Sequence, residues 1–255
     1  MNSNQKKSIR RLIRIVWITF GVSFLIWQFY SFTAQGFDRN LEESDSQVVI
    51  TDEAKWITFV PQRDSIKNGV LFFPGGGVDP LAYLPLNRKL AENHILSIIV
   101  KLPYRFAPFE SHKKIAVETS IQIKSNYPKI KNWIVCGHSK GGEMAAMLVQ
   151  KYPERINGLV LLGTSHPKRF SLSGIKIPVK KIYATNDGVA ALPQIKTTAT
   201  NLPDHTQWFE IKGGNHSQFG YYGFQLGDDD ATISRDEQQE IVFQEILKAI
   251  AESEK

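Results

Sequence analysis

A serine between glycines, at residues 137–141, is the first place where this sequence could do chemistry. The segment Gly137-His138-Ser139-Lys140-Gly141 follows the apolar run WIVC and precedes the helix-like stretch EMAAMLVQKY. The pattern G-x-S-x-G between a strand and a helix is typical of a sharp turn that exposes a serine hydroxyl. Glycines suit the turn because side chains at 137 and 141 would collide with neighbouring backbone. We predict that Ser139 is a nucleophile; a serine-capped strand-to-helix turn is the alternative.

A serine nucleophile needs a base and a group that orients the base, and candidates for both follow in the chain. Asp187 comes after the apolar run 181–184, and His216 comes after the run 207–211. A carboxylate at 187 would hold the Nδ1–H of His216, whose other nitrogen would accept the serine proton. The chain order Ser, Asp, His fits this arrangement. We therefore predict Ser139, Asp187 and His216 as catalytic residues, although Asp187-Gly188 taken alone is typical of a turn.

Backbone N–H groups near Ser139 could stabilise negative charge on a carbonyl oxygen under attack. We predict the N–H of Lys140 as one donor, because this residue follows the nucleophile. The second donor is expected in the loop FPGGGVD, where Gly76 and Gly77 are the main candidates and Val78 also stays open. A phosphate-binding loop is the competing interpretation, but neither G-x-x-x-x-G-K-[ST] nor G-x-G-x-x-G is present.

Strand-like and helix-like segments alternate along the chain and would position these residues. Near-continuous apolar strands between helices predict an α/β fold: a mostly parallel central sheet with helices on both faces. In such a sheet the loops after the strands meet at one edge, where ligands bind. The predicted strands are 56–60, 70–73, 95–100, 133–136, 159–162, 181–184 and 207–211, and the predicted helices are 81–93, 111–125, 142–151, 192–200 and 235–252.

The predicted site has no room for a helical lid. Fewer than twenty residues separate the strand that ends at 162 from the strand that starts at 181, so we expect an open site walled by loops. Aromatic and basic side chains in nearby loops could line it, with ordinary loop packing as the alternative. These candidate substrate-lining residues are Tyr104, Arg105, Phe106, Phe219 and Tyr221, and Tyr222 belongs to the same group.

Composition excludes several classes of protein. The chain has 255 residues, of which 42% are hydrophobic and 22% charged, which is ordinary for a globular domain. Cys136 is the only cysteine, so no intrachain disulfide can form. The three consecutive acids 228–230 would point in different directions, so we expect a solvated loop there and neither a metal nor a cofactor.

The N-terminal 32 residues resemble a membrane anchor. Five basic residues and no acid precede residue 15, so they account for five of the six net positive charges and do not indicate a nucleic-acid surface. Residues 15–32 are uncharged and would span roughly 27 Å as a helix. We expect a cytoplasmic tail at 1–14, a transmembrane signal anchor at 15–32, a linker at 33–50 and an exported domain at 51–255. Secretion after cleavage of a signal peptide is the alternative.

With these elements in place, the chain resembles the α/β-hydrolase superfamily. It looks closest to the fold-5 branch, which is related to dienelactone hydrolases. The resemblance covers about residues 68–250 and rests on FFPGGGVDPLAY, KLPYRFAPF, CGHSKGGEMAA, IYATNDGV and GGNHSQFGYYGFQLGDDDATISRDEQQE. It implies a triad of Ser139, Asp187 and His216. Dienelactone hydrolases proper use a cysteine nucleophile, whereas this chain has a serine.

The expected function is that of a carboxylesterase-like serine hydrolase. It would cleave a small-molecule carboxylic ester, thioester or lactone through an acyl-enzyme, without a cofactor. An acyltransferase with the same triad is one alternative. A catalytically inactive, membrane-tethered binding protein is another, since a fold does not prove a function.

Overall fold

The computed structural model describes residues 3–63 and 65–254, with side chains from residue 5 onward. Eight strands and six α-helices alternate along these residues, joined by short 3-10 turns. The strands are β1 (Val48–Asp52), β2 (Trp56–Pro61), β3 (Asn68–Phe73), β4 (Leu96–Val100), β5 (Asn132–His138), β6 (Gly158–Leu162), β7 (Val179–Ala184) and β8 (Gln207–Ile211). The helices are α1 (Ser3–Ser31), α2 (Leu84–Glu92), α3 (Glu110–Asn126), α4 (Lys140–Lys151), α5 (Leu192–Lys196) and α6 (Arg235–Ser253).

The eight strands form one sheet in the order β1-β2-β4-β3-β5-β6-β7-β8. β2 pairs antiparallel with both β1 and β4, and all other neighbouring strands are parallel. The predicted α/β class with a mostly parallel sheet is therefore confirmed. β5 lies in the interior of the sheet and is buried along its whole length. The loops that follow β3, β5, β7 and β8 consequently meet at one edge.

Helices cover both faces of the sheet, as the sequence predicted. Successive side chains of β5 point to opposite faces: Ile134 and Cys136 pack with α2 and α6, whereas Trp133 and Val135 pack with α3 and α4. Residues 163–178, between β6 and β7, contain neither helix nor strand. The site edge of the sheet therefore carries no helical lid at this position.

Residues 33–50, the expected linker, lie against the domain. The buried guanidinium of Arg88 on α2 donates to the carbonyl oxygens of Leu41 (2.9 Å) and Glu43 (2.7 Å) and pairs with Asp45. The segment then continues into β1, which starts at Val48 and extends the sheet by a strand that the sequence analysis did not predict. This segment is thus fastened to the domain near α2.

The N-terminal helix α1 is 29 residues long. Within Gln5–Ser31, the apolar window of 18 residues has a mean hydropathy of 1.7 and is not buried in the protein, so by length and composition the helix could cross a membrane or serve as a signal sequence. The end of α1 differs from the rest, because Ser31 is buried and hydrogen-bonds to the domain. The N–H of Gly223 donates to the Ser31 carbonyl oxygen at 2.7 Å.

The turn from β5 into α4 is tightly packed against neighbouring backbone. Ser139 has φ 50° and ψ −116°, a left-handed φ that non-glycine residues rarely adopt. A Cβ atom at Gly141 would lie 2.0 Å from the carbonyl oxygen of Phe73, and one at Gly137 would lie 2.3 Å from the carbonyl oxygen of Gly141. Only glycine fits at 137 and 141, and this close approach brings the end of β3 beside Ser139.

Replacing Gly141 with alanine should therefore strongly destabilise the protein. The added Cβ would meet rigid backbone, so we expect a loss of about 4 kcal/mol or more, or a loss of soluble protein. The matched control is Gly174→Ala, where a Cβ would meet nothing within 4 Å. Urea unfolding followed by tryptophan fluorescence measures both variants, and equal midpoints would contradict the packing described for this turn.

Candidate active site

The predicted base and its predicted partner are in contact. The Nδ1 atom of His216 lies 2.9 Å and 3.0 Å from the two carboxylate oxygens of Asp187, and both side chains are fully buried. Asp187 also accepts hydrogen bonds from the N–H groups of Val189 (3.0 Å) and Ala190 (2.6 Å). These backbone bonds fix the carboxylate, which in turn places the Nδ1–H of His216 toward Asp187 and leaves Nε2 free to accept a proton.

Ser139 lies next to this pair. His138, which precedes it, has its ring centroid 4.5 Å from that of His216. The Ser139 N–H donates to the carbonyl oxygen of Leu162 at 3.0 Å. Gly163, which follows Leu162, is close to the Asp187 carboxylate, since a Cβ there would lie 3.1 Å from it. The His216 Nε2 atom is buried and has no hydrogen-bond partner, so the Ser139–His216 hydrogen bond is not formed in this structure. Such bonds often tighten only when substrate is present.

The predicted oxyanion donors differ in what their N–H groups already bind. Within residues 3–63 and 65–254, the N–H groups of Gly76 and Lys140 have no acceptor. A Cβ at Gly76 would lie 3.1 Å from the Cβ of Lys140, so the two residues are neighbours. The N–H of Gly77, also expected as a donor, is engaged by the carbonyl oxygen of Arg105 (2.9 Å), and that of Val78 by the Gly75 carbonyl oxygen (3.3 Å). Gly76 and Lys140 are therefore the pair available to an oxyanion.

A buried tyrosine links the glycine loop to the turn around Ser139. The hydroxyl of Tyr83 accepts from the Gly75 N–H at 2.9 Å and lies 2.8 Å from His138 Nδ1, so its own proton is available to that nitrogen. Burial, together with the nearby His216, holds the pKa of His138 well below its usual range, so this ring is neutral. Burial likewise raises the pKa of Tyr83. The sequence analysis did not find this link, because nothing local indicates that Tyr83 turns back toward Gly75.

Asp228 has a role that the sequence analysis missed. We expected the acids at 228–230 to form a solvated loop, and Asp229 and Asp230 are indeed exposed, but Asp228 is buried. Its carboxylate accepts from the N–H of His216 (3.0 Å), from the N–H and hydroxyl of Ser217 (2.8 and 2.7 Å) and from the N–H of Gly188 (3.3 Å). Asp228 thus joins the loop that carries Asp187 to the loop that carries His216.

Helix α6 also holds the loop that carries His216. The side chains of this loop do not form a metal site. Gln238 is fully buried and exchanges two hydrogen bonds with the backbone of Asn215, at 3.0 and 2.8 Å. α6 itself starts at a serine cap, since the Ser234 hydroxyl accepts from the Glu237 N–H. In the part of the chain that the structure describes, no group of three or more His, Cys, Asp or Glu side chains could hold a metal ion.

The ammonium group of Lys140 forms an ion pair within its own helix, α4. It pairs with Glu143, which also accepts from the buried Lys113 at 2.8 Å. Although burial alone would raise it, these hydrogen bonds lower the pKa of Glu143, so the carboxylate stays ionised. The backbone N–H of Lys140 is therefore presented beside Ser139 while its ammonium group is neutralised on α4.

The expected substrate-lining residues divide into two groups. Tyr104 and Phe106 line a shallow cleft together with Gly76, Ser139 and Lys140. The other three expected residues lie elsewhere. Arg105 pairs with Asp79 (3.0 Å), Phe219 is buried with its ring 5.3 Å from that of His138, and Tyr221 donates to Asp236 (2.6 Å). Tyr222 is also fully buried.

Replacing Asp228 with asparagine should destabilise the loops that carry Asp187 and His216. An amide has only one acceptor oxygen, so at least one buried N–H group would lose its partner, which costs about 1–3 kcal/mol. The matched control is Asp230→Asn, whose side chain is exposed and should change stability by less than about 0.5 kcal/mol. Urea unfolding compares the two variants, and an Asp228→Asn midpoint equal to that of the control would contradict this role.

Solved structures share the fold of this chain at low sequence identity. A predicted CIB-like hydrolase from Thermoplasma acidophilum is 12% identical, with a TM-score of 0.60, covering 78% of this chain and 98% of that one. Est1E from Butyrivibrio proteoclasticus is 12% identical, with a TM-score of 0.57 and coverage of 81% and 100%. TT1662 from Thermus thermophilus is 13% identical, with a TM-score of 0.58 and coverage of 80% and 98%.

One of two sequence comparisons identifies the family of this chain. A search of curated proteins finds no match. The family model described as the alpha/beta hydrolase family matches residues 69–240, which include the turn at Ser139, the Asp187–His216 pair and the glycine loop. Because that match covers more than half of the sequence, the chain belongs to the α/β-hydrolase family.

Proposed function

We propose that this protein is a serine hydrolase that cleaves a carboxylic ester, thioester or lactone, with Ser139, Asp187 and His216 as its catalytic triad. The contact between Asp187 and His216 carries the proposal, because it leaves the buried Nε2 of His216 unpartnered beside the strained turn at Ser139. Strained backbone of this kind is concentrated at functional sites.

In the proposed reaction, Ser139 Oγ forms a bond to the acyl carbon while its proton passes to His216 Nε2. Asp187 keeps the imidazole oriented and stabilises the imidazolium that forms. The N–H groups of Gly76 and Lys140 donate to the oxyanion of the tetrahedral intermediate. The bond to the leaving group then breaks, and His216 returns the proton to the departing alcohol or thiol. Water then attacks the acyl-enzyme while His216 takes its proton. The bond to Ser139 Oγ breaks, His216 returns the proton to this oxygen, and the acid is released.

We also propose that α1 remains attached as a membrane anchor with the catalytic domain on the far side from the basic tail. The uncharged run 15–32 is long for the apolar region of a cleaved signal peptide. Basic residues precede this run and the acids Asp38, Glu42 and Glu43 follow it, which favours a cytoplasmic N-terminus. The hydrogen bonds between Ser31 and the loop at 223–224 support retention of the helix, because they make its end part of the folded domain.

Substitution of Ser139 tests the nucleophile. A fluorophosphonate probe should label the wild-type protein, and Ser139→Ala should abolish labelling and reduce hydrolysis of short-chain esters by about a thousand-fold or more. Ser173→Ala, in an exposed loop, is the matched control and should behave like the wild type. Unchanged turnover in Ser139→Ala would refute the proposal. Transfer to an added alcohol in preference to water would instead identify an acyltransferase.

Substitution of His138 tests its role as a positioning residue. His138→Phe removes the acceptor of the Tyr83 hydroxyl, so the Gly75–Gly77 loop should lose its alignment with Lys140. Because the oxyanion develops on the way to the tetrahedral intermediate and is absent from the bound substrate, we expect kcat to fall by about ten-fold or more with KM nearly unchanged. His138→Asn keeps an acceptor oxygen and should recover most of kcat. Equal kcat in the two variants, or a change confined to KM, would contradict this role.

A further inference from the structure

The end of α1 packs against the loops beside the Ser139 cleft. The Asp79 N–H donates to the Phe32 carbonyl oxygen at 2.9 Å. The ring of Phe32 is also close to the glycine loop, since a Cβ at Gly77 would lie 3.0 Å from it. The guanidinium of Arg105 lies 5.8 Å from the ring centre of Phe29. Phe32, directly after α1, therefore contacts the glycine loop, and the last turn of α1 contacts the loop after β4.

A second loop contacts the opposite face of the same helix. The rings of Trp27 and Phe224 are 6.2 Å apart, and Gln35 donates to the carbonyl oxygen of Tyr221 at 2.8 Å. Trp27 and Phe29 are separated by about 200° around the helix, so the two loops lie on opposite sides of α1. Trp27 is also about 6 Å before Ser31, the last residue of α1, along the helix axis. Because Phe224 contacts Trp27, it lies beside the apolar run 15–32 and not beyond the end of this run.

Exposed apolar side chains are concentrated on these two loops. Outside α1, eight large hydrophobic side chains are exposed in the described part of the chain, and five of them belong to residues 104–109 or 224–226. The five are Tyr104 (80% exposed), Phe106 (52%), Phe109 (66%), Phe224 (49%) and Leu226 (62%). We call these five side chains the apolar rim. Clusters of exposed apolar side chains mark interaction surfaces, and aromatic rings favour the boundary between water and lipid.

The apolar rim and the cleft share residues, because Tyr104 and Phe106 line the cleft beside Ser139. The position of α1 also identifies what the rim contacts. A bilayer around residues 15–32 would necessarily lie next to the loops that α1 contacts, since hydrogen bonds hold Ser31 and Phe32 to the domain. The mouth of the cleft would then lie at the boundary between lipid headgroups and hydrocarbon, where the ester bonds of acyl lipids are found.

We propose that the apolar rim seats in the membrane that α1 spans, so that the cleft at Ser139 receives its substrate, an ester of a long acyl chain, directly from the bilayer. This inference rests on the proposed hydrolase function and on retention of α1. The chemistry is that of the proposed reaction: Ser139 takes the acyl group, the alcohol leaves with the proton from His216, and water releases the fatty acid. The absence of a helical lid at residues 163–178 leaves the cleft open for a chain to enter.

Two esters of one fluorescent alcohol test this inference. The full-length protein is reconstituted in vesicles of phosphatidylcholine and phosphatidylglycerol and assayed with 4-methylumbelliferyl acetate in solution and 4-methylumbelliferyl oleate in the bilayer. The variant Phe109→Ser/Leu226→Ser removes two members of the apolar rim that do not line the cleft. Hydrolysis of the oleate should fall by about ten-fold or more, as expected when two large apolar side chains no longer enter lipid. Hydrolysis of the acetate should stay unchanged.

The matched control is Val49→Ser/Trp208→Ser. These residues are also exposed, but they lie near the starts of β1 and β8, at the edge of the sheet opposite the cleft. The control should hydrolyse both esters at wild-type rates. Since α1 keeps every variant on the vesicle, a selective loss reports seating of the cleft and not membrane binding.

The outcomes separate this inference from the proposed function. Ser139-dependent hydrolysis of the acetate with no hydrolysis of the oleate would overturn the inference and leave the hydrolase function standing. The same holds if the rim variant matches the wild type on both esters, which would point to a protein partner for the rim. Release of α1 by proteolysis, detected by mass spectrometry, would also overturn it. If the wild type hydrolyses neither ester and the probe labels nothing, the proposed function itself fails.

Discussion

The contact between the start of α4 and the end of β3 is the constraint on which the rest of the site depends. With Gly141 packed on the Phe73 carbonyl oxygen, no side chain can separate the two segments. This contact brings Gly76 beside Lys140, so the two unpaired N–H groups are placed by one packing interaction. It also keeps Ser139 in a conformation that would be unfavourable in an isolated peptide, which persists only when its surroundings over-determine it.

Local sequence was sufficient to predict this turn but not the polar contacts that support it. Gly137, Ser139 and Gly141 could be recognised because an apolar run precedes them and a helix-like stretch follows. The choice between Gly76 and Gly77 depends on the carbonyl oxygen of Arg105, which is far along the chain. Asp228 could not be distinguished from its two acidic neighbours, because only the position of the His216 loop decides which of the three carboxylates is buried.

The prediction of strands failed at β1. β1 is a short edge strand with only Val48 fully buried, so it lacks the continuous apolar run that identified the interior strands. The side chains after His216 could not be oriented for a similar reason, since an aromatic residue in a loop can face the core or the cleft. Phe219 faces the core, whereas Tyr104 and Phe106 face the cleft. The parallel part of the sheet and its helices followed from the alternation of apolar runs and helix-like stretches, and the chain order of the predicted site residues followed from the G-x-S-x-G motif and the residues after later strands.

The hydrogen bonds at the end of α1 leave no flexible tether between the helix and the domain. Ser31, Phe32 and Gln35 are each bonded to domain backbone, so the orientation of the domain follows the orientation of the helix. Helices in bilayers tilt when their apolar length exceeds the local hydrocarbon thickness. With α1 in a bilayer, a thinner membrane would tilt the helix and rotate the whole domain with it. The height of Ser139 above the lipid would then depend on membrane thickness. The lipid composition would therefore determine how far an ester must move out of the bilayer to reach Ser139.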